Sequence, residues 1–408
     1  MSNQASQDPR RSLIGKVMAN RVGVTEGDFT IEQNTRATNN HVYMINLSKP
    51  VESESVSKNA RPFTVPIPAG TTRLVMRIAR ADNNVEDSIR TRNEVACLTL
   101  ARKALAHVDP LLIPRIFDWD DTSDQGYILQ EFKNGESLSH DELQALTEQD
   151  VAFVCKQLAS VVKALQDYQL PVTGYGGLTF DDAGNMSTTK IIFRTGGPFS
   201  TYAEYLKVTL EWQLSQSEDV AALNGWKNVP GLRSRIDAFV AIGLDEVLSK
   251  VPEHKPTLVH GDLTLPNLLY DKSTKRLVAV VDFDFGHVGS TVTEFMYSFP
   301  ELQGLLTGVA EPEDGLRDLV LNGFVEPVDA KFAIGKTWDT ALAAQGALRP
   351  SNIEGSENIS NVWWFAQELL QFHWLLPRFH ESQSEEQLQK WVAKSQKRIE
   401  AYLKHWGY

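Results

Sequence analysis

Apolar positions in the first third of the chain fall in short alternating or β-branched runs: Phe29 to Glu32, Val42 to Leu47, Leu74 to Ala79, Arg115 to Trp119 and Tyr127 to Phe132. A period of two places every second side chain on one face of a pleated strand, so these runs predict five strands of one antiparallel sheet. Between the third and fourth, Val85 to Ala106 carries Ile89, Val95, Leu98, Leu100 and Leu105 and predicts a helix. A shorter helix is expected at Leu13 to Asn20. The connection from Ser48 to Gly70, rich in Ser, Pro and Glu, exceeds most loops in length and predicts a flexible or functional excursion.

Past Phe132 the pattern changes. Lys133-Asn134-Gly135-Glu136 is a polar link, and Thr147 with Asp150 gives a capped helix start ahead of Val151, Val154, Leu158, Val161, Val162 and Leu165. A turn-rich strand pair follows at Gly174 to Met186. Helical spacing recurs at Thr201 to Leu214, Leu232 to Lys250, Asn361 to Leu376 and 385 to 405. The expected fold is α+β and bilobal. A small antiparallel-sheet lobe with one helix occupies 1–132, with 1–27 read as an extension, and a larger, mainly helical lobe occupies 133–408. A chain of 408 residues exceeds one ordinary hydrophobic core, which agrees with two lobes.

Composition narrows the classes. With 42% hydrophobic and 23% charged residues the chain can bury a core. Its net charge of −12 opposes general nucleic-acid binding, since phosphate backbones are held by clustered Lys and Arg. Cys97 and Cys155 sit in apolar, helix-like runs and read as buried free thiols. No run approaches the roughly 18 apolar residues of a membrane span, and the polar amino terminus has no secretory h-region. A cytoplasmic protein without a membrane partner is the expectation.

The chemistry concentrates after residue 256. His260, Asp262 and Asn267 give the spacing H-x-D-x-x-x-x-N, and Asp282 follows in Val281-Asp282-Phe283-Asp284-Phe285-Gly286. In protein kinases such an Asp accepts the substrate hydroxyl proton, while the Asn and a later Asp hold magnesium. The short apolar segments Thr257 to Val259, Leu268 to Tyr270 and Leu277 to Val281 predict strands that hold the intervening loops at one edge of the lobe. Asp262 is thus the catalytic candidate, and Asn267 and Asp282 are the metal ligands. Asp284 is a second ligand or a support. His260 is expected to fix the loop by hydrogen bonding. Upstream, Arg77 on the third strand stands where a phosphate-binding Lys is expected, and Glu94 on the following helix is its candidate partner.

Together these residues resemble the aminoglycoside phosphotransferase and choline kinase-like family, particularly its fungal-type members, from about Phe29 to Ser298. The resemblance implies a protein-kinase-like fold with ATP between the lobes. It also implies a hinge at Gln130 to Lys133, including Phe132, whose backbone holds adenine. Gly261 replaces the Arg of the protein-kinase triplet and no Ala-Pro-Glu follows, so a small-molecule kinase with a hydroxyl acceptor, ATP and Mg2+ is implied over a protein kinase. One departure concerns the phosphate turn. Thr35-Arg36-Ala37-Thr38-Asn39-Asn40 contains no glycine, so Thr38, Asn39 and Asn40 side chains become the candidate phosphate donors, against the alternative of a plain polar hairpin.

Other readings remain open at this point: a catalytically silent kinase fold acting as a binding or regulatory protein, and nucleotidyl transfer on the same fold. The acceptor is not legible. Trp212, Trp363, Trp364, Phe365, Phe372 and Trp374 read as core or as a ligand cage, and Glu294, Glu357 and Glu368 as candidates to attract a cationic amine.

Overall fold

All five expected strands form, and they build one antiparallel sheet: β1 (Phe29–Asn34), β2 (Asn40–Leu47), β3 (Arg73–Ala79), β4 (Ile116–Asp120) and β5 (Tyr127–Glu131), in the order β1-β2-β3-β5-β4. They are seen in a computed structural model that describes residues 9–35, 39–55, 60–80, 87–122, 126–193, 195–220, 229–310, 315–325, 327–375, 379 and 382–408.

Strand alternation gives the sheet two different faces. Leu74, Met76 and Ile78 of β3 point into a core shared with Ile14, Val17 and Met18 of helix α1 (Pro9–Arg21). The amino-terminal segment from Pro9 is therefore packed onto the sheet. Arg77, between Met76 and Ile78, faces the opposite way, toward helix α2 (Asp87–Ala104). The expected start of that helix at Val85 lies outside the described residues. The long connection is also anchored: Ser55 bridges Ile67, the Trp119 indole donates to the Pro62 carbonyl at 2.9 Å, and the Phe63 ring meets that of Phe180 edge-on.

The second region is mainly helical. A two-residue strand, β6 (Glu136–Ser137), is followed by α3 (His140–Ala145) and α4 (Glu148–Asp167), where Thr147 accepts the Asp150 N–H as the sequence predicts. β7 (Gly177–Phe180) and β8 (Met186–Thr189) form the expected hairpin, and α5 (Tyr202–Ser217) follows. The run from Leu232 is helical to Leu248 but contains a π turn at Phe239–Gly243. Helix Ser356–Leu369 begins and ends earlier than the expected Asn361 to Leu376, and Glu385–His405 closes the chain.

Helix Thr291–Tyr297 is absent from the sequence reading for a physical reason. Residues 291–296 are all buried, so no polar face marks a 3.6-residue period. Among the described residues, no helix is long and apolar enough to cross a membrane, and Cys97 and Cys155 are buried free thiols.

Four short strands position the chemistry: β9 (Thr257–Val259), β10 (Leu268–Asp271), β11 (Arg276–Val280) and β12 (His287–Gly289). β9 pairs with β12, aligning Val259 with His287, while β10 pairs with both β11 and β6. The loop leaving β9 and the loop entering β12 consequently lie side by side.

Candidate active site

The loop after β9 is braced from below. Glu294, buried in helix Thr291–Tyr297, accepts the His260 N–H at 2.6 Å, the Gly261 N–H at 3.2 Å and the Ser298 hydroxyl at 2.5 Å. Burial raises its carboxyl above the usual range, and the three donors hold the charged form against that rise. Gly261 has φ 78°, and a Cβ there would meet the Phe285 carbonyl oxygen at 2.7 Å, so a side chain is excluded twice over.

His260 is fully buried and does not face solvent. Its Nδ1 accepts the Asp262 N–H at 3.2 Å, which leaves Nε2 to donate to the Val281 carbonyl at 3.0 Å. Those two bonds fix the neutral Nε2–H tautomer, and burial pushes its pKa down to about 4. The ring ties the 260 loop to the 281 loop, the bracing role expected of it.

Asp262 lies on top of this brace. The Asn267 amide nitrogen donates to its carbonyl at 2.8 Å and to its Oδ2 at 2.9 Å. Burial first, and then the nearby Asp282 charge, raise the Asp262 carboxyl to about 7, against the lowering bonds from Asn267 and Thr264. Because the Asn267 nitrogen is committed, its amide oxygen is the atom left for a metal.

Asp282 has φ 69° and ψ 58°, a left-handed conformation that non-glycine residues seldom adopt outside functional turns. Its carboxylate is ion-paired with Arg77, and Arg77 also lies 3.0 Å from Glu94. Burial would raise the Asp282 carboxyl, but the Arg77 guanidinium holds it below the usual range. Burial pushes Glu94 up to about 7 despite Arg77, because two more carboxylates stand close by. The predicted Arg77–Glu94 pair is therefore present and is part of a three-member cluster with Asp282.

Asp284 differs from its reading as a metal ligand. It is 1% exposed, and its two oxygens accept Arg90 Nε at 2.9 Å and Arg90 Nη2 at 2.7 Å. Its position corresponds to the support role. The same Nη2 donates to the Asn39 carbonyl at 2.7 Å and to Asn40 Oδ1 at 3.0 Å. Asn40 thus turns its side-chain oxygen inward to Arg90, and its amide nitrogen, the atom that could donate to a phosphate, is buried; Thr38 lies outside the described residues. Gln130 is buried within β5, and the Phe132 ring is capped by the Arg73 guanidinium at 3.6 Å.

Arg90 and Asn93 were not singled out by sequence. Asn93 donates to the Gly286 carbonyl at 2.8 Å and accepts the Leu178 N–H at 2.6 Å. A Cβ on Gly286 would meet Cys97 Sγ at 2.8 Å. Arg90, Asn93, Glu94 and Cys97 follow the i, i+3, i+4, i+7 spacing, so one face of α2 is applied to the 282–286 turn. That spacing around Glu94 was the available signal.

The three carboxylates considered for cation attraction are otherwise engaged. Glu294 braces the loop, Glu357 pairs with Arg317 at 3.1 Å, and Glu368 accepts Ser395 at 2.5 Å and Arg398 at 2.8 Å. Trp363, Phe365 and Trp374 are buried, and Trp364 donates to the Leu306 carbonyl at 2.8 Å. The Phe372 side chain lies outside the described ones. Trp212 lines a cleft.

A five-stranded sheet carrying an Arg–Glu pair, set over a helical region with an H-x-D loop and an acidic turn, defines a protein-kinase-like fold. The phosphotransferase enzyme family model matches residues 64–318, and the chain belongs to that family. Among solved structures, the ternary complex of streptomycin, ATP and APH(2'')-IIa is similar, with a TM-score of 0.51 at 12% identity over 98% of this chain and 99% of that one. The ADP-bound aminoglycoside phosphotransferase APH(2'')-Ib gives a TM-score of 0.51 at 12% identity over 97% and 99%. At such identity the likeness is one of fold. No curated protein matches the chain.

Proposed function

We propose that this protein transfers the γ-phosphate of ATP to a hydroxyl group of a small molecule, with Asp262 as the catalytic base. The supporting observation is the convergence of Asp262, Asn267 and Asp282 on two adjacent loops, with Arg77 reaching Asp282 from the sheet. In this reading residues 1–132 form the nucleotide lobe and 133–408 the catalytic and acceptor lobe, with the Gln130 to Lys133 backbone against adenine.

The donors suit magnesium. Asp282 and the Asn267 amide oxygen are hard oxygen ligands, and the Asp282 side chain is one-third exposed, so it is reachable. Magnesium, when bound, places positive charge on the phosphate oxygens. Arg77 supplies permanent charge from the opposite lobe, and Glu94 keeps its guanidinium in place. Asp262 orients the acceptor hydroxyl and takes its proton. The acceptor oxygen bonds to the γ-phosphorus as the bond to the bridging oxygen breaks, and ADP leaves with that electron pair.

An ATP-dependent search of a metabolite extract for mass gains of one phosphate tests this reading, with Asp262→Asn as control. Turnover is expected to fall about 1000-fold or more in the variant, given the usual weight of a positioned base and its alignment. ATP binding should be nearly unchanged. Turnover at the wild-type rate in Asp262→Asn defeats the reading, and an extract without any mass gain moves the silent binding protein ahead of it.

A further inference from the structure

Helix α5 carries Tyr205, Thr209 and Gln213 on its buried face, and with Trp212 they form one wall of a cleft of about 480 Å³, its open mouth included. Phe193, Tyr297 and Leu370 supply other walls. The cleft adjoins the reactive loops. Phe193 stacks on Phe285 with ring centroids 5.4 Å apart, and the Phe285 carbonyl is the group packed against Gly261, next to Asp262.

Its polar groups are few and buried. Gln213 is 5% exposed, and its Nε2 donates to the Leu370 carbonyl at 2.9 Å. That bond fixes the amide and leaves Oε1 buried without a partner, as an acceptor only. Thr195 is 6% exposed, and its hydroxyl likewise has no partner. Buried polar groups in native proteins are satisfied in nearly all cases, so the Gln213 oxygen, with unpartnered hydroxyls beside it in one aromatic cleft, points to a ligand that brings a donor. Among the described residues none of the lining side chains is Asp, Glu, Lys or Arg. Among the described lining residues a cation would meet aromatic faces and no carboxylate, so its desolvation would be offset there by the rings alone.

We propose that this cleft binds the phosphoryl acceptor, and that the acceptor is an uncharged alcohol with a flat aromatic body and a hydrogen-bond donor directed at Gln213. This rests on the phosphotransfer reading for the word acceptor; the ligand class rests on the cleft alone. The aromatic body stacks among Phe193, Trp212 and Tyr205, the donor meets Gln213 Oε1, and the reacting hydroxyl faces Asp262.

Nucleotide-free binding separates the two ideas. Tyrosol serves as the uncharged probe, and tyramine and choline as its cationic counterparts, each titrated into the full chain and followed by saturation-transfer NMR. Tyrosol is expected to bind at millimolar concentration or tighter, at least tenfold better than tyramine or choline. Gln213→Leu and, independently, Thr195→Val and Trp212→Ala are each expected to weaken tyrosol at least fivefold while circular dichroism stays unchanged. Equal or tighter binding of either cation overturns the proposal. So does the absence of tyrosol binding, or tyrosol affinity unchanged in the variants that remain folded. Failure here with a phosphorylated product in the extract refutes only the acceptor class. Tyrosol binding without any phosphate transfer refutes only the reaction.

Discussion

Replacing Arg90 by methionine keeps most of the side-chain volume and removes the charge that Asp284 relies on. Both side chains are 2% exposed, so solvent does little to screen the pair. Arg90 makes two charge-assisted bonds to Asp284 and two more to Asn39 and Asn40, and Asp284 raises the Arg90 pKa against the lowering effect of burial. Unit charges about 4 Å apart at an effective dielectric near 20 attract by about 4 kcal/mol. Breaking a buried pair by removing one partner costs about 3–5 kcal/mol, largely because the other charge is left buried alone. Arg90→Met is therefore expected to lose about 3–5 kcal/mol in urea unfolding followed by tryptophan fluorescence. Adding Asp284→Asn removes the stranded charge and should recover more than half of that loss. A single-variant cost below about 1 kcal/mol, or a double variant no more stable than Arg90→Met, refutes the view of this pair as an essential clamp.

Stability without metal should depend on the Asp262 proton. The unfolded carboxyl ionises near its ordinary value, while burial holds the folded one protonated up to about 7. Its stabilising contribution is complete below pH 4 and is lost as pH rises toward and through 7. In chelator, Asp262→Asn should consequently melt above wild type at pH 7.5 and lose that advantage at pH 4.5; a gap independent of pH contradicts the shift. Glu294→Ala deprives the His260 and Gly261 N–H groups of their acceptor. At about 1–3 kcal/mol for each stranded buried donor, urea unfolding should record a loss of about 2–6 kcal/mol. Turnover should fall while calorimetric ATP affinity stays within a few-fold, and a selective loss of ATP binding speaks against the brace.

Local pattern carried much of the architecture. Alternation located five strands of the first sheet, and the Thr147 cap with its periodic apolar stripe located α4, because these signals depend on neighbours within a few residues. The order H-x-D, Asn, Asp likewise marked the two loops that the structure sets side by side. Helix Thr291–Tyr297 escaped because burial on every side erases periodicity. Tertiary packing alone decided which charges meet. Arg90 and Asp284 are 194 residues apart, yet they pair, so both oxygens of a candidate metal ligand are occupied by a guanidinium. Glu294 and Glu368 became internal acceptors in the same way, and Gln213 was left with a fixed, unpartnered oxygen in an aromatic cleft. Hydrophobic periodicity is a short-range property of a chain, whereas desolvation and ion pairing are settled only when distant segments close over one another.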